Sequence, residues 1–271
     1  MQNQDNFSLI KAAKSSKKYR SLDIPDDMLL DILQYESISH TSSKDLEKAF
    51  RKKLHNIVAP YLEDINYDNE LKFIKDLSSN FDSIEIKQYC RVILSKHAST
   101  KERLPYLDEL YQKLFEITGS PKSIIDLACG LHPFGIPWMN LDPSVLYYAY
   151  DIHKPRVEFI NHLLALLGHE KLSYQQDILV TPPQVRADIA FFFKEAHRFE
   201  KRKPGCNFEF WKSLQVEWLI VSLPSTDLKH HHDLVNKHQS LIHDSIPNNF
   251  HQIHTILIGD EIFFFLKKYE I

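Results

Sequence analysis

Three carboxylates close three successive short apolar runs: Asp126 in "SIIDLACG", Asp151 in "VLYYAYDIH" and Asp177 in "KLSYQQDIL". At the carboxyl end of a strand, a carboxylate can accept hydrogen bonds from a pair of hydroxyls or from an amine. Each acid alone is more often a strand-end or helix-cap residue. Three in succession point to one ligand site. The first opens a turn of small residues, Asp126-Leu127-Ala128-Cys129-Gly130, through which a ligand can approach the backbone closely. The chain has only 6 glycines, and Gly130 and Gly135 both lie in "SIIDLACGLHPFGIPWM".

These acids can act together only if their runs lie side by side. After "ITGSPKS" the texture supports that. "SIIDLA", "VLYYAYDIH", "KLSYQQDIL", "ADIAFFF" and "VEWLIVSLPS" read as five strands. "KPRVEFINHLLALLG" and "CNFEFWKSLQ" read as helices between them, the first ending at Gly168. Alternating strands and helices predict an α/β fold with a parallel sheet covered on both faces. "HQIHTILIGDEIFFFLKK" predicts a closing hairpin around Gly259-Asp260. The chain before Ser120 carries no strand signal. "IPDDMLLDILQYES" and "SSKDLEKAFRKKLHNIVAPYL" have apolar residues at helical spacing, the second opening at Ser43 with Glu47 close to a capping arrangement. "NELKFIKDLSS" and "SIEIKQYCRVILSKH" continue the helical pattern.

The 271 residues, 43% hydrophobic, suffice for one large domain or two ordinary ones. No stretch reaches the roughly 18 apolar residues that span a bilayer. The N-terminus lacks the apolar region of a signal peptide, so a soluble cytoplasmic protein is expected. Three cysteines without pairing or metal spacing fit a reducing compartment. A net charge of -3 gives no overall pull toward nucleic acid, so any RNA surface must be local.

The turn at Asp126 is a variant of the acid-x-Gly-x-Gly turn by which class I methyltransferases hold S-adenosyl-L-methionine. Taken alone it is equally an ordinary strand-to-helix turn. With it stand "SKHASTKERL", "DLACGLHPFGIPWM", "YAYDIH", "VSLPS" and the N-terminal "SKKYRSL". Together these resemble the Arm/Rmt and antibiotic-producer (FmrO-like) aminoglycoside-resistance 16S rRNA (guanine-N7) methyltransferases along nearly the whole chain. The resemblance implies a class I (Rossmann-like) methyltransferase domain over 105–271 and a helical N-terminal domain over 1–104 that docks on the 30S subunit. It implies S-adenosyl-L-methionine as cofactor, 16S rRNA as partner, a monomer, no membrane and no metal. Carried over by position, Arg103 meets the methionine carboxylate, and Ala128 and Gly130 line the methionine end. Asp151 and Ile152 hold the ribose, and Asp177 and Ile178 the adenine. Tyr61 closes over the cofactor, and Lys194 stands near the reaction centre.

The chain departs from this family at three places. His132 stands where Asn is usual, "EAHRFE" follows Lys194 in place of an apolar run, and "TDLKHHHDL" follows "VSLPS" in place of a Gly-rich basic segment. The last two leave open a different target nucleotide, or a homologue that binds cofactor or ribosome without turnover.

Three basic clusters are the expected RNA contacts: Lys17, Lys18 and Arg20, with Lys11 and Lys14 before them; Arg51, Lys52 and Lys53; and Arg198, Lys201 and Arg202. Such runs are otherwise solvated faces. His230, His231 and His232, with His238 and His243, lack metal-ligand spacing and are expected on an exposed loop. Trp138, Trp211 and Trp218 could stack a base, although Trp218 falls in a strand and is expected in the core. Cys129 is expected to be a small packing residue and not a nucleophile.

Overall fold

The unbroken apolar runs after Ser120 form strands covered on both faces. The computed structural model describes residues 2–62, 65–77, 82–226 and 234–269, without the side chains of 2–6, 60–62 and 77. Its strands are β1 (Ser123–Leu127), β2 (Leu146–Asp151), β3 (Ser173–Gln175), β4 (Arg186–Phe193), β5 (Gln215–Pro224), β6 (Phe250–Ile258) and β7 (Glu261–Lys268). They form one sheet in the order β3-β2-β1-β4-β5-β7-β6. The first five in that order are parallel, and β7 and β6 are the expected antiparallel hairpin. The order reverses between β1 and β4, which opens a crevice at their carboxyl ends.

Side chains alternate across the sheet. Ile189, Phe191 and Phe193 of β4, with Phe263 and Phe265 of β7, join one core. Ala190, Phe192, Phe264 and Leu266 join the other. The first face is covered by α4 (Tyr67–Leu77), α5 (Ser83–Ser95), α7 (Leu107–Thr118) and α8 (Lys154–Leu166), with a 3-10 segment at His132–Trp138. The short α6 (Ala98–Lys101) lies between α5 and α7. The second face is covered by α9 (Ala196–Arg202), α10 (Cys206–Ser213) and α11 (Val235–Ser245).

The first three helices, α1 (Gln2–Ser15), α2 (Asp26–Ser37) and α3 (Ser43–Leu62), bury a core of their own. Met28, Leu29, Ile32 and Leu33 of α2 meet Phe50, Leu54 and Val58 of α3, both at helical spacing. The cap of α3 lies one residue earlier than expected: Ser42 Oγ accepts the Asp45 N–H at 3.1 Å, and Asp45 accepts the hydroxyl proton at 2.8 Å. Glu47 pairs with Arg51 instead, at 2.8 Å. The apolar packing divides between α3 and α4, because Tyr67, Ile74, Cys90 and Ile93 belong to the sheet's core. The expected border at 104/105 therefore falls within that core.

The two units meet beside β2 and β3. Ile152 packs against the helical core, Lys154 pairs with Asp23 at 3.2 Å, and Gln175 donates to the Asp23 carbonyl. Among the described residues no helix is long and apolar enough to cross a membrane.

Gly135 is required by packing. A Cβ there would stand 2.3 Å from Tyr111 Oη, and Tyr111 is held by a 2.9 Å hydrogen bond to His132. Gly135→Ala should cost roughly 1–3 kcal/mol, as overpacking does. Adding Tyr111→Phe removes the clashing oxygen, so the double variant should be more stable than the summed losses require. Denaturant unfolding of the four proteins reads this, and strictly additive losses would contradict it.

Candidate functional site

Two cavities open at the carboxyl ends of the parallel strands and share Ala128, Glu195 and Arg198. The first, about 400 Å³, is lined by Asp151, Ile152, Asp177 and Ile178, with Lys53 and Ile57 of α3 on the far side. The second, about 540 Å³, is lined by Arg103, Gly130, Phe193 and Lys194, with Ala59 of α3. Both volumes lie in the range of small-molecule sites. Strained backbone surrounds them. Ala128 (φ 51) and Gly130 (φ 57) follow β1, and Lys194 (φ 61) follows β4. For Ala and Lys this left-handed conformation costs of order 1 kcal/mol or more, and it clusters at functional sites.

The loop after β1 rests on a buried polar network. Asp126 Oδ2 accepts from Tyr147 at 2.7 Å and pairs with His132 Nδ1 at 2.8 Å. With Nδ1 donating, His132 Nε2 accepts the Tyr111 hydroxyl proton at 2.9 Å. Asp126 thus anchors the turn from beneath, and His132 links it to α7. Cys129 N–H donates to the Tyr150 carbonyl at 2.9 Å, and burial holds its thiol well above the ordinary range.

Asp151 is 2% exposed. Its Oδ1 accepts from His153 N at 2.8 Å, and Oδ2 accepts from Gly130 N and Arg156 Nη1, both at 3.1 Å. Three of roughly four acceptor positions are in use. Arg156 is itself held by the Tyr67 hydroxyl at 2.9 Å. Asp177 accepts from Leu179 N at 3.0 Å and pairs with Arg202 at 2.6 Å. Burial raises its carboxyl above the ordinary range against the pull of Arg202.

Arg103 is engaged. Its Nε and Nη2 donate to the two oxygens of Glu261 at 2.8 and 2.6 Å, with both side chains 4% exposed. Its guanidinium lies over the Phe193 ring. Lys194 pairs with Glu102 and stands 3.5 Å from Glu261, whose carboxylate also accepts from Ser222. Burial alone would raise the Glu261 carboxyl, but Arg103, Lys194 and Ser222 hold it below its ordinary range.

Residues 15–243 match the ribosomal RNA methyltransferase (FmrO) family. The chain belongs to that family. A 16S rRNA (guanine(1405)-N(7))-methyltransferase of Serratia marcescens is 29% identical over 94% of this chain and 95% of its own. One of Micromonospora rosea is 26% identical over 83% of each. An rRNA methylase of Escherichia coli superposes with TM-score 0.76 at 27% identity, over 97% of this chain and 100% of its own. The 16S rRNA methyltransferase RmtF, solved with S-adenosyl-L-homocysteine, shares the fold at 23% identity with TM-score 0.78, over 98% and 99% of the two chains.

The site residues expected from the family resemblance gather as follows. Arg103, Ala128, Gly130, Asp151, Ile152, Asp177, Ile178 and Lys194 all line one cavity or the other. Tyr61 lies in α3, two residues beyond Ala59, and its side chain is outside the described residues. Of the basic residues, Lys17, Lys18 and Arg20 are exposed in the turn after α1, and Arg51 and Lys52 are exposed on α3. Lys53 is half-buried over the Tyr35 ring and paired with Glu36 at 2.9 Å. Lys201 is exposed, and Arg198 pairs with Glu195 at 2.8 Å.

Arg202 departs from the expected outward cation. It is buried between Asp177 and Asp31 of α2, at 2.6 and 2.7 Å, and so ties the first cavity to the helical unit. His230, His231 and His232 lie outside the described residues. His238 is not on a loop surface: it is buried in α11, with Nδ1 2.8 Å from the Pro224 carbonyl. His243 is exposed beside Asp244. All three tryptophans are buried, so none offers a free stacking face. Arg156, Glu195 and Glu261 are the site residues the sequence reading missed. Arg156 and Glu195 stand close in sequence to Asp151 and Lys194, but Glu261 carries no local signal.

Removing Glu261 should leave the Arg103 charge buried and unpaired, at roughly 3–5 kcal/mol. Because the Glu261 carboxyl is depressed in the fold, its contribution is whole above the ordinary glutamate value and is lost as pH falls through the lower folded value. Glu261→Ala should therefore be much less stable than wild type at pH 7, with the gap narrowing in acid. A loss below about 1 kcal/mol at pH 7 would contradict the pairing.

Proposed function

We propose that this protein transfers a methyl group from S-adenosyl-L-methionine to N7 of a guanine in 16S rRNA, acting on the 30S subunit in the cytoplasm. The guanine is the one for which its relatives are named, guanine 1405. The observation that carries this reading is the pair of joined cavities at the β1/β4 crevice, one bordered by two strand-end carboxylates and the other by Arg103 and the Gly130 turn.

The residues fit the cofactor. In the first cavity, the one remaining acceptor position of Asp151 suits a ribose hydroxyl, and Asp177 suits an adenine amine between the apolar walls of Ile152 and Ile178. In the second, Arg103 suits a carboxylate, and its pairing with Glu261 leaves Nη1 as the nitrogen to meet one. Gly130 keeps its Cβ position clear beside Arg156. Tyr61 would close over the cofactor from the end of α3. When bound, the cofactor supplies a methyl group on a cationic sulfonium.

Guanine N7 carries a free lone pair at neutral pH, so the chain needs no general base. Its task is to hold N7 in line and at near-attack distance. The base must leave its stack, and the second cavity receives it. Lys194, fixed by its strained backbone and by Glu102 and Glu261, orients the base or its phosphate and moves no proton. Lys17, Lys18, Arg20, Arg51, Lys52, Lys53, Arg198 and Lys201 contact phosphates, so affinity for the subunit falls steeply with salt. Arg202 contributes indirectly by holding Asp177 against the helical unit. The same division of labour assigns docking on 30S to the helical unit and transfer to the sheet unit. The protein acts as a monomer without metal.

Label from methyl-labelled cofactor should enter the RNA of purified 30S subunits. Asp151→Ala should weaken cofactor binding about tenfold or more in calorimetry, since both its ribose contact and its hold on Gly130 are lost. Unchanged affinity would contradict the assignment of the first cavity.

A further inference from the structure

Glu195 is an acidic side chain common to both cavities, and neither the family resemblance nor the basic clusters gave it a part. Lys194 puts it there. The chain leaves β4 at φ 61, and Glu195 stands at the head of α9. One oxygen is held by Arg198 at 2.8 Å, and about a fifth of the side chain, 21%, is exposed. The charged groups facing it are Arg198 of α9, Asp151 at the end of β2 and Arg156 of α8. Lys53 of α3, with Lys201 and Arg202 of α9, lines the same first cavity.

Burial outweighs the attraction of Arg198, and Asp151 adds repulsion, so the Glu195 carboxyl titrates at about 7. The carboxylate is thus poised to ionise or not, according to what charge enters the cavity.

We propose that Glu195 senses the charge of the cofactor: its carboxylate faces the sulfonium where the two cavities join, and favours the cationic methyl donor over the neutral demethylated product. This rests on the cofactor placement proposed above. Adenosine in one cavity and methionine in the other bring the sulfur that links them past the residues both cavities share. A sulfonium has no N–H or O–H to donate, and its positive charge, shared with the C–H groups beside the sulfur, is what a carboxylate there would recognise. The product thioether lacks that charge, while its adenosine and amino-acid ends make the same contacts. Discrimination between the two ligands therefore falls to a group at the junction. A cation beside Glu195 favours ionisation, and by linkage the ionised carboxylate favours the cation. Below pH 6 the residue is protonated and blind to the difference, and above it the preference grows. A one-unit displacement of its titration by the ligand corresponds to about a tenfold gain in preference.

The test is calorimetric affinity for S-adenosylmethionine and S-adenosylhomocysteine at pH 5.5 and 8.0, in wild type and Glu195→Gln. The wild-type preference for the methyl donor should rise roughly tenfold between the two pH values. The Gln variant should lack that rise, and ligand titration cancels because it is common to both proteins. An identical pH dependence in the two proteins would overturn the proposal while leaving the cofactor site intact. Failure of the wild type to bind either ligand would overturn the cofactor placement and the proposal together. Arg198→Gln gives a second check that keeps Glu195 in place. Without its cation the carboxyl titrates higher, so the pH at which the preference sets in should move up. A midpoint that stays where it was would count against Glu195 as the sensor.

Discussion

Arg103 and Glu261 stand 158 residues apart in the chain and lie side by side in its interior. Neither charge is tolerable there alone, because each has given up its hydration for the other. The pair fixes the segment after α6 to the first residue of β7, next to the strand that carries Ser222. Lys194 then takes its place against the same carboxylate. One wall of the second cavity is thus built from three distant parts of the sequence around a single buried carboxylate. Its geometry is set before any ligand arrives, which a reaction resting on position requires.

The same logic holds on the other side of the crevice. Asp151 binds the Gly130 N–H and Arg156, so the carboxylate that lines the first cavity also shapes the turn that lines the second. Beneath that turn, Asp126, His132, Tyr111 and Tyr147 form a hydrogen-bonded chain. The left-handed Ala128 persists because contacts on both sides of it fix the turn, and Lys194 because its N–H is held by the Ser222 carbonyl at 2.8 Å and its ammonium by Glu102 and Glu261. The first cavity has a further property. Lys53 and Ile57 come from the helical unit, and Arg202 spans from Asp177 to Asp31. The first cavity therefore lies on the seam between the helical unit and the sheet unit.

Much of this was legible in the sequence because it is local. Buried parallel strands are unbroken apolar runs, and the acids at their ends mark where the chain turns into the crevice. β1, β2, β4, β5 and the closing hairpin fall where the runs put them. β3 shrinks to three residues, Ser173–Gln175, because the chain on either side of it within "KLSYQQDIL" leaves the sheet. The rest depended on distance. No local pattern distinguishes an arginine facing phosphate from one buried between two carboxylates, so Arg202 read as part of a basic run. His238 read as part of a histidine-rich loop because its partner is a carbonyl 14 residues away. Helical periodicity found α2 to α5 but could not say which core each would join, so the packing seam between α3 and α4 went unseen. Glu195 stood only within "EAHRFE", the departure from an apolar run, since its position at a junction exists only once β4 and α9 are assembled.

The central claim is that these joined cavities deliver a methyl group to one guanine of the small subunit. Borohydride–aniline cleavage of 16S rRNA after incubation with 30S subunits and S-adenosylmethionine reads that claim directly, since it cuts at N7-methylguanine. A single new cut at the guanine for which the relatives are named is the expected result. Methyl incorporation with no cut there would contradict the assigned target, and no incorporation would contradict the assigned reaction.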